Sequence, residues 1–228
     1  PAMGWRGLRM AIDRSGLLRT QIRALMDGAN GRPLSILLPL VTSPDEMLQA
    51  RAIIHKEVER AQKLGDTVPQ SIEVGAMIEI PAAAWDVRRI AQHADFLSVG
   101  GNDLAQFFFA ADRENDRVAS RYDYLSRPFI SFLRHVVHEA EAANVPLSYC
   151  GEQAGDPLMA LTLIGIGFER LSAAASAVLP MKHMIRHVDQ SHARSYVDDL
   201  MASGDVVSLR SGMHSYAEEH SIPIFRAL

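Results

Sequence analysis

A single cysteine, Cys150, occurs in 228 residues. That excludes an internal disulfide and a thiolate zinc cluster, both of which need more than one thiol. An excess of positive charge is missing as well: 23 Lys and Arg stand against 27 Asp and Glu, for a formal net charge of −4. Without a basic field, neither a nucleic-acid backbone nor an anionic membrane surface is an expected partner. No apolar run approaches the roughly 18 residues that a membrane-spanning helix needs. The opening residues, Pro1-Ala2-Met3-Gly4-Trp5-Arg6, carry neither the apolar core of a signal peptide nor the pattern of a transit peptide. They also lack an initiating Met, so the expectation is a cytoplasmic protein of which this chain is a fragment or trimmed piece.

What is present is the composition of a folded protein. A hydrophobic content of 48% rules out intrinsic disorder, and 15 Gly and 11 Pro without a period rule out a collagen-like chain. The length suffices for one large core or two small ones. Strand-like and helix-like runs alternate. Five strand candidates, Leu34–Leu38, Ser71–Ile80, Ala94–Gly100, Val145–Cys150 and Arg170–Ala175, are each bounded by Gly, Pro or Asp, as buried parallel strands tend to be. Ser43-Pro44-Asp45-Glu46 combines an N-cap, a first-turn Pro and a capping-box Glu. Behind it Met47, Ala50, Ile53, Ile54, Val58 and Ala61 recur at helical spacing, and Gly65 supplies a stop. Further helices are predicted from Asp156-Pro157 to Ile166 and from Pro128 to Ala143. Such alternation predicts a parallel sheet, open or closed into a barrel. From Leu179 to about Ser221 the pattern is helical only, notably over His192–Ala202 and Ser211–His220. The expected organisation is one α/β domain over residues 1–188 with a helical tail over 189–228, packed on the domain or on a partner.

In parallel α/β folds the active site lies at the carboxyl ends of the strands, and here those ends are chemically rich. The second strand runs into Glu79-Ile80-Pro81, the third into Gly100-Gly101-Asn102-Asp103, the fourth into Cys150-Gly151-Glu152. Glu79 and Asp103 suit a shared hard cation such as Mg²⁺, which takes one or two carboxylates with waters and substrate phosphate. The alternative is that Asp103 caps the next helix and Glu79 pairs with an arginine. Gly100-Gly101 suits either an anion-binding nest or a tight loop. Cys150 suits a general acid or nucleophile, or else a small core residue. Arg6, Arg9 and Arg113 are the candidate anion forks. Of nine histidines, the pairs His183/His187 and His135/His138 have no third ligand nearby in sequence and read as surface or core residues. Gly165-Ile-Gly167-Phe-Glu-Arg170 has a dinucleotide-like look, but it precedes a strand instead of following one and is rejected.

Five motifs in order, Gly4-Trp-Arg-Gly-Leu-Arg9, Met77-Ile-Glu-Ile-Pro-Ala-Ala83, Ser98-Val-Gly-Gly-Asn-Asp-Leu104, Ala111-Asp-Arg-Glu-Asn115 and Cys150-Gly-Glu-Gln-Ala-Gly-Asp-Pro157, resemble the phosphoenolpyruvate-utilising enzymes. They look most like enzyme I of the bacterial sugar phosphotransferase system and its nitrogen-related paralogue, a phosphoenolpyruvate–protein phosphotransferase. The resemblance covers residues 1 to about 188; residues 111–120 and the tail through Ile224 favour the nitrogen-related branch. It implies a (β/α)8 TIM barrel of the phosphoenolpyruvate-utilising type, here truncated to about five strands, that binds phosphoenolpyruvate with Mg²⁺ and forms a homodimer. It further implies that a histidine of a separate domain takes the phosphoryl group and hands it to a histidine-containing phosphocarrier protein, releasing pyruvate. By motif, Arg6 and Arg113 bind the substrate phosphate, with Arg6 also near the bridging enol oxygen. Glu79 and Asp103 hold Mg²⁺, the Asn102-Asp103 segment holds the carboxylate, and Cys150 protonates C3 of the enolate.

Departures accompany the resemblance. Gly101 stands where the family carries Thr, Ala105 and Phe107 replace a Thr and a Tyr, and Leu38-Pro39-Leu40 replaces Phe-Pro-Met. None of the nine histidines sits in the phosphoryl-accepting motif, a further phosphate-binding Arg is absent, and five strand candidates stand where such a barrel has eight. The expected parent is therefore an enzyme and this chain its substrate-binding part, inactive alone. Two alternatives are the barrel of a pyruvate phosphate dikinase or phosphoenolpyruvate synthase, and a non-catalytic dimerisation module.

Overall fold

In a computed structural model, which describes residues 2–203 and 208–224, strands and helices alternate as the sequence pattern predicts. In chain order the elements are α1 (Gly7–Asp13), α2 (Ser15–Ala29), β1 (Leu34–Leu38), α3 (Pro44–Leu64), β2 (Ile72–Ile78), α4 (Pro81–Trp85), α5 (Val87–Ala91), β3 (Leu97–Gly100), α6 (Gly101–Phe108), α7 (Asp116–Ala119), α8 (Arg127–Ala142), β4 (Leu147–Cys150), α9 (Pro157–Gly165), β5 (Leu171–Ser172), α10 (Ala175–Ile185), α11 (Gln190–Ala202) and α12 (Leu209–Glu219). The five strands form one sheet in the order β1-β2-β3-β4-β5. The pairs β1–β2 and β4–β5 are parallel, with Leu34 opposite Ile72 and Tyr149 opposite Leu171. All five predicted strands are present. β1 has its predicted limits, whereas the others are shorter than predicted, β5 by most of its length. Among the described residues no helix is long and apolar enough to cross a membrane.

The chain divides into two compact units: the described residues up to Ser98 with Ala142–Pro146, and Val99–Glu141 with the residues from Leu147 onward. In the first unit, α3 begins where predicted. Ser43 accepts the Glu46 N–H at 3.4 Å, and Gly65 closes the helix in the left-handed region (φ 76°). Glu46 departs from a capping box by reaching one residue further back, to the N–H (2.6 Å) and hydroxyl (2.5 Å) of Thr42. α2 has no counterpart in the sequence reading, although Leu18, Ile22, Met26 and Ala29 recur at helical spacing and are buried. α2 and α3 enclose Glu57, which is 1% exposed. Both carboxylate oxygens are engaged, Oε1 by Arg19 Nε and Oε2 by Arg23 Nε at 2.5 Å. A carboxylate is rarely this buried without such pairing.

The second unit has α9 near its centre. That helix is apolar on every side and buried almost throughout, the pattern of a helix with no solvent face. Asp156 caps it by accepting the Met159 N–H at 2.7 Å. Gly165 lets α11 approach closely: a Cβ there would lie 2.9 Å from Val197 Cγ2 and 3.2 Å from the Ala193 carbonyl. The helices of the predicted tail thus pack on α9, while residues 204–207 and 225–228 of that tail lie outside the described residues. Arg127, at the start of α8, caps the other end of α11 by donating to the carbonyls of Leu200 and Ser203. Arg210 of α12 makes a two-pronged bond to Asp123 at 2.8 and 2.7 Å.

The Glu57 pairing carries a pH signature. The hydrogen bond from Arg23, helped by Arg19 and opposed by burial, holds the Glu57 carboxyl down at about 2, against an ordinary 4.5. A depressed carboxyl pKa stabilises the fold above the unfolded-state value, and that stability is lost as pH falls toward the folded-state value. Glu57→Gln is therefore expected to cost about 1–2 kcal/mol at neutral pH, a figure lowered because both arginines are partly exposed. The difference between parent and variant should shrink between pH 4.5 and 2, as read by urea unfolding at several pH values. A pH-independent difference would assign the cost to packing alone.

Candidate active site

In the first unit, Arg6 is the N-cap of α1, with extended backbone (φ −148°, ψ 172°). Gly7 follows at φ +59°, and a Cβ there would sit 2.8 Å from Leu40 Cδ1. The start of α1 is thus laid against the residues that leave β1, and the Leu8 N–H donates to the Pro39 carbonyl at 3.3 Å. Leu40 has a positive φ of 53°, uncommon for a branched side chain, and its N–H donates to Glu79 Oε1 at 2.7 Å. Glu79 is the first residue past β2 and is 5% exposed. A continuous series of contacts therefore runs from the neighbour of Arg6 through Leu40 to Glu79. Arg9 donates locally to the Gly4 carbonyl at 3.3 Å.

In the second unit, β3 passes into α6 without an intervening residue. The junction needs glycine, because a Cβ on Gly101 would lie 2.1 Å from Tyr149 Oη and 2.3 Å from its Cζ. Of the two readings of Gly100-Gly101, the tight turn has this contact behind it. Asn102 follows, and its Oδ1 accepts the Glu152 N–H at 3.2 Å. Between Cys150 and Glu152, Gly151 sits at φ +139°, where a Cβ would be 2.9 Å from that same oxygen. The exit of β4 is in this way tied to the start of α6.

Asp103 lies in the first turn of α6, past the N-cap position Gly100, and is buried. The reading of Asp103 as the helix cap is corrected accordingly. Arg113 Nη2 stands 3.4 Å from Asp103 Oδ1, and the Arg113 N–H donates to Gln106 Oε1 at 3.0 Å, folding the Arg113 loop back onto α6. Cys150 is half-buried, and its thiol donates to the Val99 carbonyl at 3.3 Å. The second unit thus holds Asn102, tied to Glu152, Asp103 with Arg113 beside it, and Cys150, tied to Val99, while Arg6 and Glu79 belong to the first. The sequence reading passed over Tyr149, Gln106, Gly7 and Leu40. For Tyr149 a signal existed: it directly precedes Cys150, and Gly101 replaces the Thr of the resembled family. Burial pushes the Tyr149 phenol well above its ordinary pKa, with the nearby Tyr124 and Cys150 adding to the rise.

His187 Nδ1 lies 2.9 Å from the His183 carbonyl oxygen, and among the described residues no group of three or more His, Cys, Asp or Glu side chains is placed to hold an ion. Gly167 of the rejected dinucleotide-like motif lies between α9 and β5 at φ +111°, in a turn that enters a strand.

The fold is α/β, with Glu79 following a strand in the first unit and Asn102, Asp103 and Cys150 at strand ends in the second. Residues 1–190 match the family described as PEP-utilising enzyme, PEP-binding domain, and the chain belongs to that family. It is 40% identical over 212 residues to the "Phosphoenolpyruvate-dependent phosphotransferase system" protein of Salmonella typhimurium, covering 89% of this chain and 28% of that one. To the Escherichia coli protein of the same description it is 35% identical over 227 residues, 97% of this chain and 30% of the other. To the "Phosphoenolpyruvate-protein phosphotransferase" of Bacillus sp. (strain S) it is 34% identical over 204 residues, 90% of this chain and 35% of the other. The chain thus spans about a third of the length of the curated relatives it matches.

The Gly101–Tyr149 contact is directly testable. Gly101→Thr forces a side chain into the Tyr149 ring and is expected to destabilise by about 1–3 kcal/mol, the usual cost of overpacking. Adding Tyr149→Leu should recover most of that loss in denaturant unfolding. Equal instability of the single and double variants would show that residue 101 is constrained by something other than Tyr149.

Proposed function

We propose that this chain is the phosphoenolpyruvate-binding part of a phosphoenolpyruvate–protein phosphotransferase, its five strands belonging to a (β/α)8 barrel. The observation that carries the proposal is that Asn102 and Asp103 follow β3, with Asn102 tied to Glu152 past β4 and Arg113 beside Asp103, while Cys150 ends β4. Membership of the phosphoenolpyruvate-binding family supplies the substrate.

Phosphoenolpyruvate carries a phosphate, a carboxylate and a methylene carbon that becomes nucleophilic, and each has a matching group. Arg6 and Arg113 neutralise the phosphate oxygens, where charge is spread during phosphoryl transfer. The first N–H groups of α6, at Asn102 and Asp103, receive the carboxylate, since a helix start offers N–H groups without intrahelical acceptors. In the transfer, the bond from phosphorus to the enol oxygen breaks and its electron pair remains on the enolate. A bond forms from phosphorus to a histidine nitrogen of a separate domain. Cys150 then gives its proton to C3 of the enolate, yielding pyruvate, and the thiolate recovers a proton from solvent. The phosphohistidine passes its phosphoryl group to a histidine-containing phosphocarrier protein.

The donor set fits a divalent metal. Glu79 and Asp103 are hard carboxylate donors, nearly buried, each placed just past a strand end, and Mg²⁺ is commonly held by one or two carboxylates plus substrate oxygens. Bound there, Mg²⁺ supplies charge neutralisation for the phosphate and carboxylate. A cytoplasmic homodimer is the setting we propose, and the nitrogen-related branch on the strength of residues 111–120 and of the tail through Ile224.

Calorimetric titration of phosphoenolpyruvate into the chain tests the reading. Binding is expected with Mg²⁺, and its loss with EDTA or in Glu79→Ala. Cys150→Ala should leave the affinity essentially unchanged, because the thiol acts only after the phosphoryl group has left. Metal-independent binding would remove Glu79 and Asp103 from the ligand set. No binding by the chain or by one extended upstream would overturn the substrate assignment.

A further inference from the structure

The hydroxyl of Tyr149 is a buried polar group in the second unit that the proposed chemistry does not use. Its side chain is wholly buried, and among the described residues its Oη has no hydrogen-bond partner. Native folds keep few such groups, since a buried hydroxyl without a partner loses its hydration for nothing. The position is specific. Oη lies 2.1 Å from the point a Cβ of Gly101 would occupy, so it fills the side-chain place of the first residue of α6. In the resembled family that residue is Thr, which also carries a hydroxyl. Here the hydroxyl reaches the head of the helix from β4.

Its surroundings suit an anion. The leading N–H groups of α6 lack intrahelical acceptors, and Gly100 provides no side-chain cap. Asn102 has its Oδ1 engaged by the Glu152 N–H at 3.2 Å, so its amide offers a ligand chiefly its N–H donors. Tyr149 keeps its proton far above neutral pH because it is buried, and a protonated phenol is a donor. We infer that the Tyr149 hydroxyl donates a hydrogen bond, directly or through one bound water, to the substrate carboxylate at the head of α6, and so helps select carboxylated phosphate esters. The inference rests on the placement of that carboxylate at Asn102–Asp103 proposed above.

Tyr149→Phe removes the hydroxyl and keeps the ring. Phosphoenolpyruvate and inorganic phosphate are titrated separately, with Mg²⁺, into the chain and the variant, and melting temperatures are recorded. The expected result is on the order of tenfold weaker phosphoenolpyruvate binding, as for loss of a hydrogen bond to a charged group. Inorganic phosphate, which has no carboxylate, should bind both forms alike, and the variant should melt no lower than the parent. A double variant, Gly101→Thr with Tyr149→Leu, returns the hydroxyl to residue 101 and should bind phosphoenolpyruvate as the parent does. Unchanged phosphoenolpyruvate binding in Tyr149→Phe would overturn the inference and leave the carboxylate placement standing. Equal weakening of both ligands, or a clear fall in melting temperature, would overturn it by assigning the hydroxyl to packing. Failure of the parent chain to bind phosphoenolpyruvate would remove the underlying reading, and the inference with it.

Discussion

The passage of β3 into α6 without a connecting loop is the constraint on which the second unit's site depends. A strand that becomes a helix in one step fixes the first helical residues relative to the sheet with almost no freedom. Asn102 and Asp103 therefore have their backbone set by the strand and their side chains set by the first helical turn. The junction tolerates no side chain at residue 101, because the Tyr149 ring already occupies that space. Tyr149 in turn packs edge-on against Phe168 at 5.5 Å, which ties the head of α6 to the segment entering β5. A second glycine, Gly151, performs the matching service on β4, where its positive φ turns Glu152 back to Asn102.

Among the described residues three carboxylates are nearly buried, Glu57, Glu79 and Asp103, and their settings differ. Glu57 sits in mid-helix and is met by two arginine side chains from α2, both long and partly solvent-exposed. That arrangement serves packing of two helices. Glu79 accepts a backbone N–H, which cannot swing away, and Asp103, although Arg113 stands 3.4 Å from it, has its place fixed by the first turn of a helix that continues directly from a strand. Groups presented by backbone lose little conformational entropy when a ligand arrives, which is the arrangement expected of a binding site. Burial alone thus does not separate the three carboxylates; the identity of the anchor does.

Strands and capped helices were legible in the sequence because their signals are local. Ser43-Pro44 and Asp156-Pro157 start helices for reasons contained in a few residues, and apolar runs bounded by Gly, Pro or Asp located all five strands. The strand ends marked Glu79, Asp103 and Cys150 as candidates because strand exits are where parallel folds collect chemistry. α2 was passed over even though its apolar spacing is regular, since it begins without a capping side chain. What could not be read locally was contact across distant segments. Leu40 and Glu79 are 39 residues apart, and nothing near either residue announces the other. Gly101 was visible as a departure from the family pattern, but its cause lies in Tyr149, on the next strand in the sheet.

That pair also constrains the order in which such a site changes. With Tyr149 in place, any side chain at residue 101 meets the ring at 2.1 to 2.8 Å, and overpacking of that kind costs about 1–3 kcal/mol. With Gly101 in place and a smaller residue at 149, the same space is a void whose cost scales with its volume, at about 24 cal/mol per Å³. A void at a helix start also admits water, which lowers that cost further. The glycine is therefore the tolerated first step and the tyrosine the second. In a chain with both residues, threonine alone carries that overpacking cost, because the ring stands where its side chain would go.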